Sequence, residues 1–376
     1  MARLALTGTC IYSPFQLLED GVILICDSKI EAVGPAPLIK IPAAYRQIPL
    51  EGFIVTPGFI DIHFHSNGNA SVMDGSAAGL AELARFQATH GVTSFLATAL
   101  TAPLRQLTEV VQSYAELNCS DYKGARCLGL NLEEPFMTSE YTGNYPAEQI
   151  RFPSYQDVVA LQRKCENGIK ALTMAPEAPE ALEAAVQLYK EGIIPSIGRS
   201  KADYETVIRA TMAGFSGVSH CFQDLRLLNP REPGVIGGAL TLTELMVEMV
   251  CDGIALHPAI VNILWRLKGP DGLILVSDYM GPVEQKSEQR SISVKEPCGG
   301  LLTIEKSLPN FLATTRCKIT EALRMVTYNP AKYLGINKRK GSLYPGKDAD
   351  IVVLTSDFDV VMTMVQGETI SGLISI

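Results

Sequence analysis

The sequence lacks the features that mark several classes of protein. Its net charge is −8 and its longest basic run is residues 338–340, so a nucleic-acid partner is not expected. No apolar stretch approaches the length needed to span a membrane. The first residues also have no long apolar segment of the kind found in secretory signal peptides. The sequence therefore predicts neither a nucleic-acid partner nor a membrane partner.

Two further absences concern cysteine and glycine motifs. The nine cysteines are scattered, odd in number and without a Cys-x-x-Cys pair, which favours reduced thiols in the cytoplasm over a disulfide framework. No Gly-x-Gly-x-x-Gly motif follows an early strand, which argues against a dinucleotide-binding open sheet.

The order of hydrophobic segments predicts the fold class. The 376 residues are 47% hydrophobic, enough for a large core in one large or two domains. Short strand patterns occur near both ends, at 22–26, 30–34 and 351–354, and predict one small β-domain built from both termini. The long middle alternates helical segments with eight strand candidates, which are residues 59–62, 92–97, 127–132, 169–174, 193–197, 217–220, 253–257 and 273–277. Eight such units in roughly 280 residues favour a (β/α)8 TIM-type barrel, with a doubly wound open sheet as the alternative.

The first of these strands ends in a histidine pair. Residues 57–65 have the sequence Pro-Gly-Phe-Ile-Asp-Ile-His-Phe-His, so His63 and His65 are two residues apart on a strand and share one face. Two imidazoles at a strand end form half of a good site for Zn²⁺ or a similar ion. The alternative is a pair of hydrogen-bonded polar residues at a strand terminus.

Other polar residues follow the later strands. Glu133 follows the third, Arg199 the fifth, His220 the sixth, His257 the seventh and Asp278 the eighth. Catalytic residues of TIM barrels lie at the carboxyl ends of the strands. A helix-dipole, helix-cap or core role is the alternative for each residue taken singly. The joint pattern of His, Glu and Asp predicts one shared site.

Several segments resemble a known family. Residues 55–68 resemble the first barrel strand of the amidohydrolase superfamily, and residues 129–136, 217–225, 231–240 and 275–280 resemble motifs of the N-acetylglucosamine-6-phosphate deacetylases. The resemblance implies a TIM-type barrel over residues 53–340, closed by a β-sandwich domain from residues 1–52 and 341–376.

The resemblance also implies a ligand set for one divalent metal ion, with Zn²⁺ expected. The implied ligands are His63, His65, Glu133, His220 and Asp278. Asp278 is in addition the expected proton acceptor and donor. Of these ligands, His220 would belong to the second of the two metal positions possible in this superfamily.

The substrate-binding positions implied by the resemblance are Asn144, Gln223, Asp224, Arg231 and His257. In the family, the residue that matches Arg231 reaches the substrate phosphate of the neighbouring subunit, which implies a homodimer. A surface arginine in a Gly/Pro-rich loop is the alternative for Arg231, and a structural histidine for His257.

The chain departs from the family motifs at several of these positions. Arg199 stands where the family has a metal-binding histidine, and a guanidinium has no lone pair for a metal. Glu134 replaces a glycine and Asp224 an alanine. We therefore expect a single-metal site in which Arg199 supplies fixed positive charge, pairing Glu133 or polarising a carbonyl oxygen.

Three functions remain open on the sequence. The expected one is a metal-dependent amidohydrolase that removes the acetyl group from an N-acetylated amino sugar, with N-acetylglucosamine 6-phosphate or a close relative as substrate. The second is an amidohydrolase acting on an unphosphorylated or different amide, which Asp224 and Asn144 favour because a carboxylate repels phosphate. The third is a non-catalytic relative with a degraded metal site, which Arg199 favours.

Overall fold

A computed structural model describes residues 3–136, 154–281 and 299–372 of the chain. The strands, in chain order, are β1 Arg3–Ser13, β2 Gln16–Cys26, β3 Lys29–Pro35, β4 Arg46–Pro49, β5 Ile54–Pro57, β6 Phe59–Phe64, β7 Val92–Ala99, β8 Arg126–Phe136, β9 Ile169–Met174, β10 Ile194–Ile197, β11 Gly217–Val218, β12 Met246–Met249, β13 Leu273–Leu275, β14 Ile351–Leu354, β15 Val360–Val365 and β16 Glu368–Gly372.

The helices follow the barrel strands. They are α1 Ala77–Thr89, α2 Leu104–Asn118, α3 Tyr155–Lys164, α4 Ala181–Lys190, α5 Tyr204–Met212, α6 Gly234–Thr241, α7 Pro258–Lys268, α8 Ile304–Thr315, α9 Ile319–Val326 and α10 Tyr328–Tyr333. Short 3₁₀ turns lie at Ala36–Leu38 and Val72–Asp74. In the described ranges, no helix is both long enough and apolar enough to cross a membrane.

Eight consecutive parallel strands, β6 to β13, form the barrel sheet. Their side chains are almost entirely buried because helices cover the outer face, as in other all-parallel sheets. The first and last strands meet beyond β13, where the Asp278 amide donates to the His63 carbonyl at 2.8 Å and the His65 amide donates to the Tyr279 carbonyl at 3.1 Å. These bonds bring Asp278 beside the histidine pair.

The two ends of the chain form a second sheet, in the order β16-β15-β14-β5-β1-β2-β3, with β4 also paired to β1. β1 is 11 residues long and has two register shifts, so it pairs with β4 near its start and with β5 near its end. The sheet thereby folds over its own apolar core, which includes Ile23, Val55 and Val353. The predicted barrel and terminal β-sandwich are both present.

Two details concern the predicted boundaries. β5 pairs with β1 and β14 of the terminal sheet, although residue 53 was the expected start of the barrel segment. The division of the chain at residues 52 and 341 stays a prediction.

The seventh barrel strand was predicted at the wrong place. It is β12, Met246–Met249, and residues 252–256 form bends. The reason is local, because the Asp252 carboxylate accepts the amides of Ile254 and Ala255, both at 2.8 Å, and turns the chain. His257 therefore does not end a strand and instead caps the N-terminus of α7.

Candidate metal centre

The histidine pair points into the barrel mouth with both Nε2 atoms converging. His63 and His65 are buried at the end of β6. His65 Nδ1 lies 3.0 Å from the Thr98 carbonyl oxygen, and a carbonyl can only accept, so Nδ1 carries the hydrogen. His63 Nδ1 lies 2.9 Å from Glu248 Oε2 and donates to that carboxylate. Both Nε2 lone pairs are then free to bind a metal.

Two carboxylates face these nitrogens. Glu133 Oε2 lies 3.4 Å from His65 Nε2 and 3.7 Å from His63 Nε2. Asp278 Oδ1 lies 3.2 Å from His65 Nε2 and 3.7 Å from His63 Nε2. The geometry brings these four predicted residues together at the carboxyl ends of the first, third and eighth strands.

The donor set fits a divalent ion. Ligand atoms of His63, His65 and Glu133 all lie within 4.8 Å of one another. His63 Nε2 and Glu133 Oε2 are buried and make no hydrogen bond, an arrangement that is costly unless a ligand engages both. Imidazole nitrogen with carboxylate oxygen is a donor set typical of zinc and related ions.

His220 lies on the other side of Glu133. Its Nε2 is 3.0 Å from Glu133 Oε1, so Glu133 bridges the histidine pair and His220. Glu133, Glu134 and His220 form a second group whose ligand atoms lie within 4.8 Å of one another. His220 thus belongs to a neighbouring group, although its ring centroid lies only 5.6 Å from that of His63.

Burial and mutual charge shift the pKa values of these groups. Burial alone would lower the pKa of His63, but Glu248, Glu133 and Asp278 raise it well above its ordinary value. Burial opposes Glu133 ionisation, but the neighbouring imidazoles of His220 and His63 hold the pKa of Glu133 well below its usual range. The pKa of His220, lowered by burial but raised more by Glu133, reaches about 9. Without metal, the imidazoles of His63 and His220 therefore favour a proton that a metal must displace.

Arg199 makes a contact that the sequence did not predict. Its Nε forms an ion pair with Glu134 Oε2, and its Nη2 lies 3.0 Å from Asp224 Oδ2. Sequence reasoning considered Glu133 as the partner of Arg199, whereas Glu133 is engaged by the histidines. Burial raises the pKa of Glu134 to about 7, with Arg199 opposing and Glu133 adding to that shift.

Backbone strain is concentrated at this site. The φ angles of Glu134, Arg199, His220, Asp224 and Asp278 are all positive, between 27° and 50°. Non-glycine residues in this region cost about 1–3 kcal/mol each and persist where the surrounding structure holds them. The strands therefore turn sharply into their loops where the candidate ligands lie.

The predicted substrate-binding residues are more dispersed. Gln223 and Asp224 lie three and four residues after His220, and the Asp224 side chain is 47% exposed and paired with Arg199. Arg231 and His257 are exposed, and His257 Nδ1 accepts the Ala259 amide at 3.2 Å. Asn144 lies outside the described residues.

Sequence reasoning missed Glu248 and Asp61. Glu248, buried on β12, accepts from His63 and, at 3.0 Å, from the Ser219 hydroxyl. Asp61 accepts the His63 amide at 3.2 Å and the Ser277 hydroxyl at 2.5 Å, which ties β6 to the chain after β13. A signal existed in both cases, because each is a lone acid in an apolar strand.

The chain is similar in sequence to known amidohydrolases. The Amidohydrolase family model matches residues 286–370. An N-acetylglucosamine-6-phosphate deacetylase from Vibrio furnissii is 33% identical over 86% of this chain and 84% of its own length. An N-acetylgalactosamine-6-phosphate deacetylase from Escherichia coli O157:H7 is 29% identical over 94% of this chain and 96% of its own.

The fold is similar to that of a protein with the same activity as one of these relatives. The crystal structure of the N-acetylglucosamine-6-phosphate deacetylase from Pasteurella multocida matches with a TM-score of 0.88 at 26% identity, covering 98% of this chain and 99% of that one. With a relative above 30% identity aligned over most of both chains, the chain belongs to the N-acetylglucosamine-6-phosphate deacetylase family of amidohydrolases.

Proposed function

We propose that this protein removes the acetyl group from an N-acetylated amino sugar in a metal-dependent hydrolysis, with N-acetylglucosamine 6-phosphate as the first substrate to test. The observation that carries the proposal is the convergence of His63 Nε2, His65 Nε2, Glu133 and Asp278 at the barrel mouth. The named activities of the aligned relatives support the substrate class.

The proposed chemistry divides between the metal and the chain. His63, His65, Glu133 and Asp278 would hold one divalent ion, with Zn²⁺ expected, and a bound ion acidifies water and polarises a carbonyl oxygen. Asp278 accepts the proton of the attacking water as its oxygen adds to the amide carbon. Asp278 then returns that proton to the departing nitrogen as the C–N bond breaks, releasing acetate and the free amine.

Arg199 is proposed to add fixed positive charge beside this reaction. Its guanidinium lies on the Glu134 side of Glu133 and stays protonated at any working pH. Positive charge held there favours negative charge developing on the amide oxygen.

The substitution Asp278→Asn tests the proposed proton transfer. We expect acetate release to fall by about 10²–10⁴-fold, because an amide cannot accept the proton. Acetate is measured with N-acetylglucosamine 6-phosphate and with unphosphorylated N-acetylglucosamine. Asp271→Asn is the matched control, since Asp271 is largely exposed and paired with Arg324. An active, folded Asp278→Asn variant would overturn the role of Asp278.

Asp224 favours one alternative substrate class. Its half-exposed carboxylate stands at a position where the family motif has alanine, and it disfavours an anionic group nearby. If the wild type releases acetate faster from N-acetylglucosamine than from N-acetylglucosamine 6-phosphate, the substrate is an unphosphorylated amide.

A homodimer in the cytoplasm is also proposed. The support for the dimer is the exposed Arg231 in the segment that resembles the family's intersubunit loop. The support for a reducing compartment is that all eight cysteines in the described ranges are free. Sedimentation of the purified protein tests the dimer.

A further inference from the structure

Beside the proposed metal site lies a second cluster with the same kind of donor atoms. Glu133, Glu134 and His220 are buried, and one ligand atom from each lies within 4.8 Å of the others. Glu134 Oε1 is buried and makes no hydrogen bond. Two adjacent buried carboxylates are costly to ionise together, so a cation held beside them stabilises the cluster.

The chain supplies that cation itself. Arg199 Nε is in ion contact with Glu134 Oε2, and its Nη2 lies 3.0 Å from Asp224 Oδ2. Arg199 is only 13% exposed, so the guanidinium is held between a buried carboxylate on one side and a half-exposed carboxylate on the other. A planar guanidinium suits this arrangement because its donors point in fixed directions towards two acceptors.

The backbone before Arg199 is fitted to the same contact. A Cβ atom at Gly198 would lie 2.3 Å from Thr173 Cγ2 and 3.0 Å from Glu134 Oε1. Because glycine has no Cβ atom, the Glu134 carboxylate can lie close to the backbone at this position. The position of Glu134 depends on both Gly198 and Arg199.

We propose that Arg199, clamped between Glu134 and Asp224, is a built-in cation that excludes a divalent ion from the Glu133–Glu134–His220 cluster. A guanidinium does not lose its proton, so it repels an approaching metal ion at every working pH. It also engages Oε2 of Glu134, one of the two carboxylate oxygens through which that residue could bind an ion. The active site consequently takes one metal ion, at His63 and His65, and the neighbouring cluster is closed to a second.

This inference rests on the proposed function only in placing the first ion at the histidine pair. It concerns the number of ions bound, which is measured without any substrate. The stoichiometry and the deacetylation assay can therefore fail independently.

The test is Zn²⁺ binding by equilibrium dialysis and elemental analysis of the full-length chain. We expect about one equivalent for the wild type and about two for Arg199→His, because this change removes the cation and adds a neutral imidazole. Arg199→Lys keeps a positive charge and should stay at about one equivalent. Arg226→His is the matched control, since Arg226 is exposed and should also stay at one.

Arg199→Gln is the second variant, in case the histidine variant does not fold. It removes the charge and adds no strong ligand, so a weaker additional equivalent is expected. Two equivalents in the wild type, or the wild-type number in both charge-removing variants when folded, would overturn the inference. A wild type that binds one ion and releases no acetate would contradict the proposed function and leave this inference intact.

Discussion

At the residue scale, the chemistry depends on which ring nitrogen of each histidine carries the hydrogen. His65 is fixed by a backbone carbonyl, whereas His63 is fixed by the Glu248 side chain, 2.9 Å from Nδ1. Only the second contact can be changed by substitution. Glu248 is therefore a positioning residue that acts through His63.

The change Glu248→Gln should weaken Zn²⁺ binding by about 10–100-fold, because an amide holds the His63 ring less firmly and lowers its basicity. Competition with a chromogenic chelator measures the affinity. Glu244→Gln, an exposed change on the same segment, is the control. Unchanged affinity in folded Glu248→Gln would show that Glu248 does not orient His63.

A second residue-scale prediction concerns Asp224. Asp224→Ala removes one negative charge near the barrel mouth. It breaks the ion pair between Arg199 and Asp224 and keeps the one between Arg199 and Glu134. We expect KM for the phosphorylated sugar to fall several-fold, with little change for the unphosphorylated sugar. Steady-state acetate release on both substrates measures the difference. Equal effects on both would mean that Asp224 does not face the phosphate.

At the scale of elements, a buried ion cluster joins the terminal sheet to the segment that follows α10. Lys340, 1% exposed, forms ion pairs with Asp348, at 3.1 Å, and with Asp350. Lys29 of β3 also binds Asp348, at 2.6 Å, and the Asp350 carbonyl accepts the Gly58 amide just before β6. The cluster therefore ties both chain ends to the first barrel strand.

Lys340→Met should lower the free energy of unfolding by about 3 kcal/mol, because it leaves two buried carboxylates with less compensating charge. Urea denaturation measures this loss. Lys338→Met, at an exposed position, is the control and should be nearly neutral. A loss no larger than that of the control would mean that the cluster does not stabilise the fold.

The same cluster predicts a pH dependence. Burial would raise the pKa of Asp348, but Lys29 and Lys340 outweigh burial and hold it below the ordinary 3.8. A lowered folded-state pKa stabilises the protein fully above 3.8, and this stabilisation is lost as pH falls through the folded-state value. Urea denaturation at a series of acidic pH values should therefore show a smaller acid-induced loss in Lys340→Met than in the wild type.

At the scale of the whole molecule, the metal should stabilise the native state. Binding to the native state alone at a free concentration of 100 times Kd adds about 2.7 kcal/mol. We therefore expect a chelator to lower the unfolding temperature and Zn²⁺ to restore it, as measured by scanning calorimetry. His63→Ala should abolish the response, since it removes a proposed ligand. An unfolding temperature that is indifferent to Zn²⁺ in the wild type would count against a resident metal.

Much of the architecture could be predicted from local pattern. Apolar strands alternating with helices indicated the barrel, both β-rich ends indicated the terminal β-domain, and the family assignment is confirmed by the aligned relatives. The seventh strand was misplaced because residues 253–257 look strand-like until the Asp252 side chain is seen to turn them. Glu248 was missed because its function depends on a partner 185 residues away.

The sequence by itself determined the residue types of the metal site and the face that His63 and His65 share, because strand periodicity is a local property. Only the tertiary structure decided which distant residues meet. Barrel closure brings Asp278 to His63. The third barrel strand and the loops after the fifth and sixth bring Glu134, Arg199 and Asp224 into one ion cluster. Three departures from the family motifs, separate along the chain, thus form one ion cluster in space, because the buried Glu134 carboxylate is stabilised by a counter-charge that only the fold brings to it.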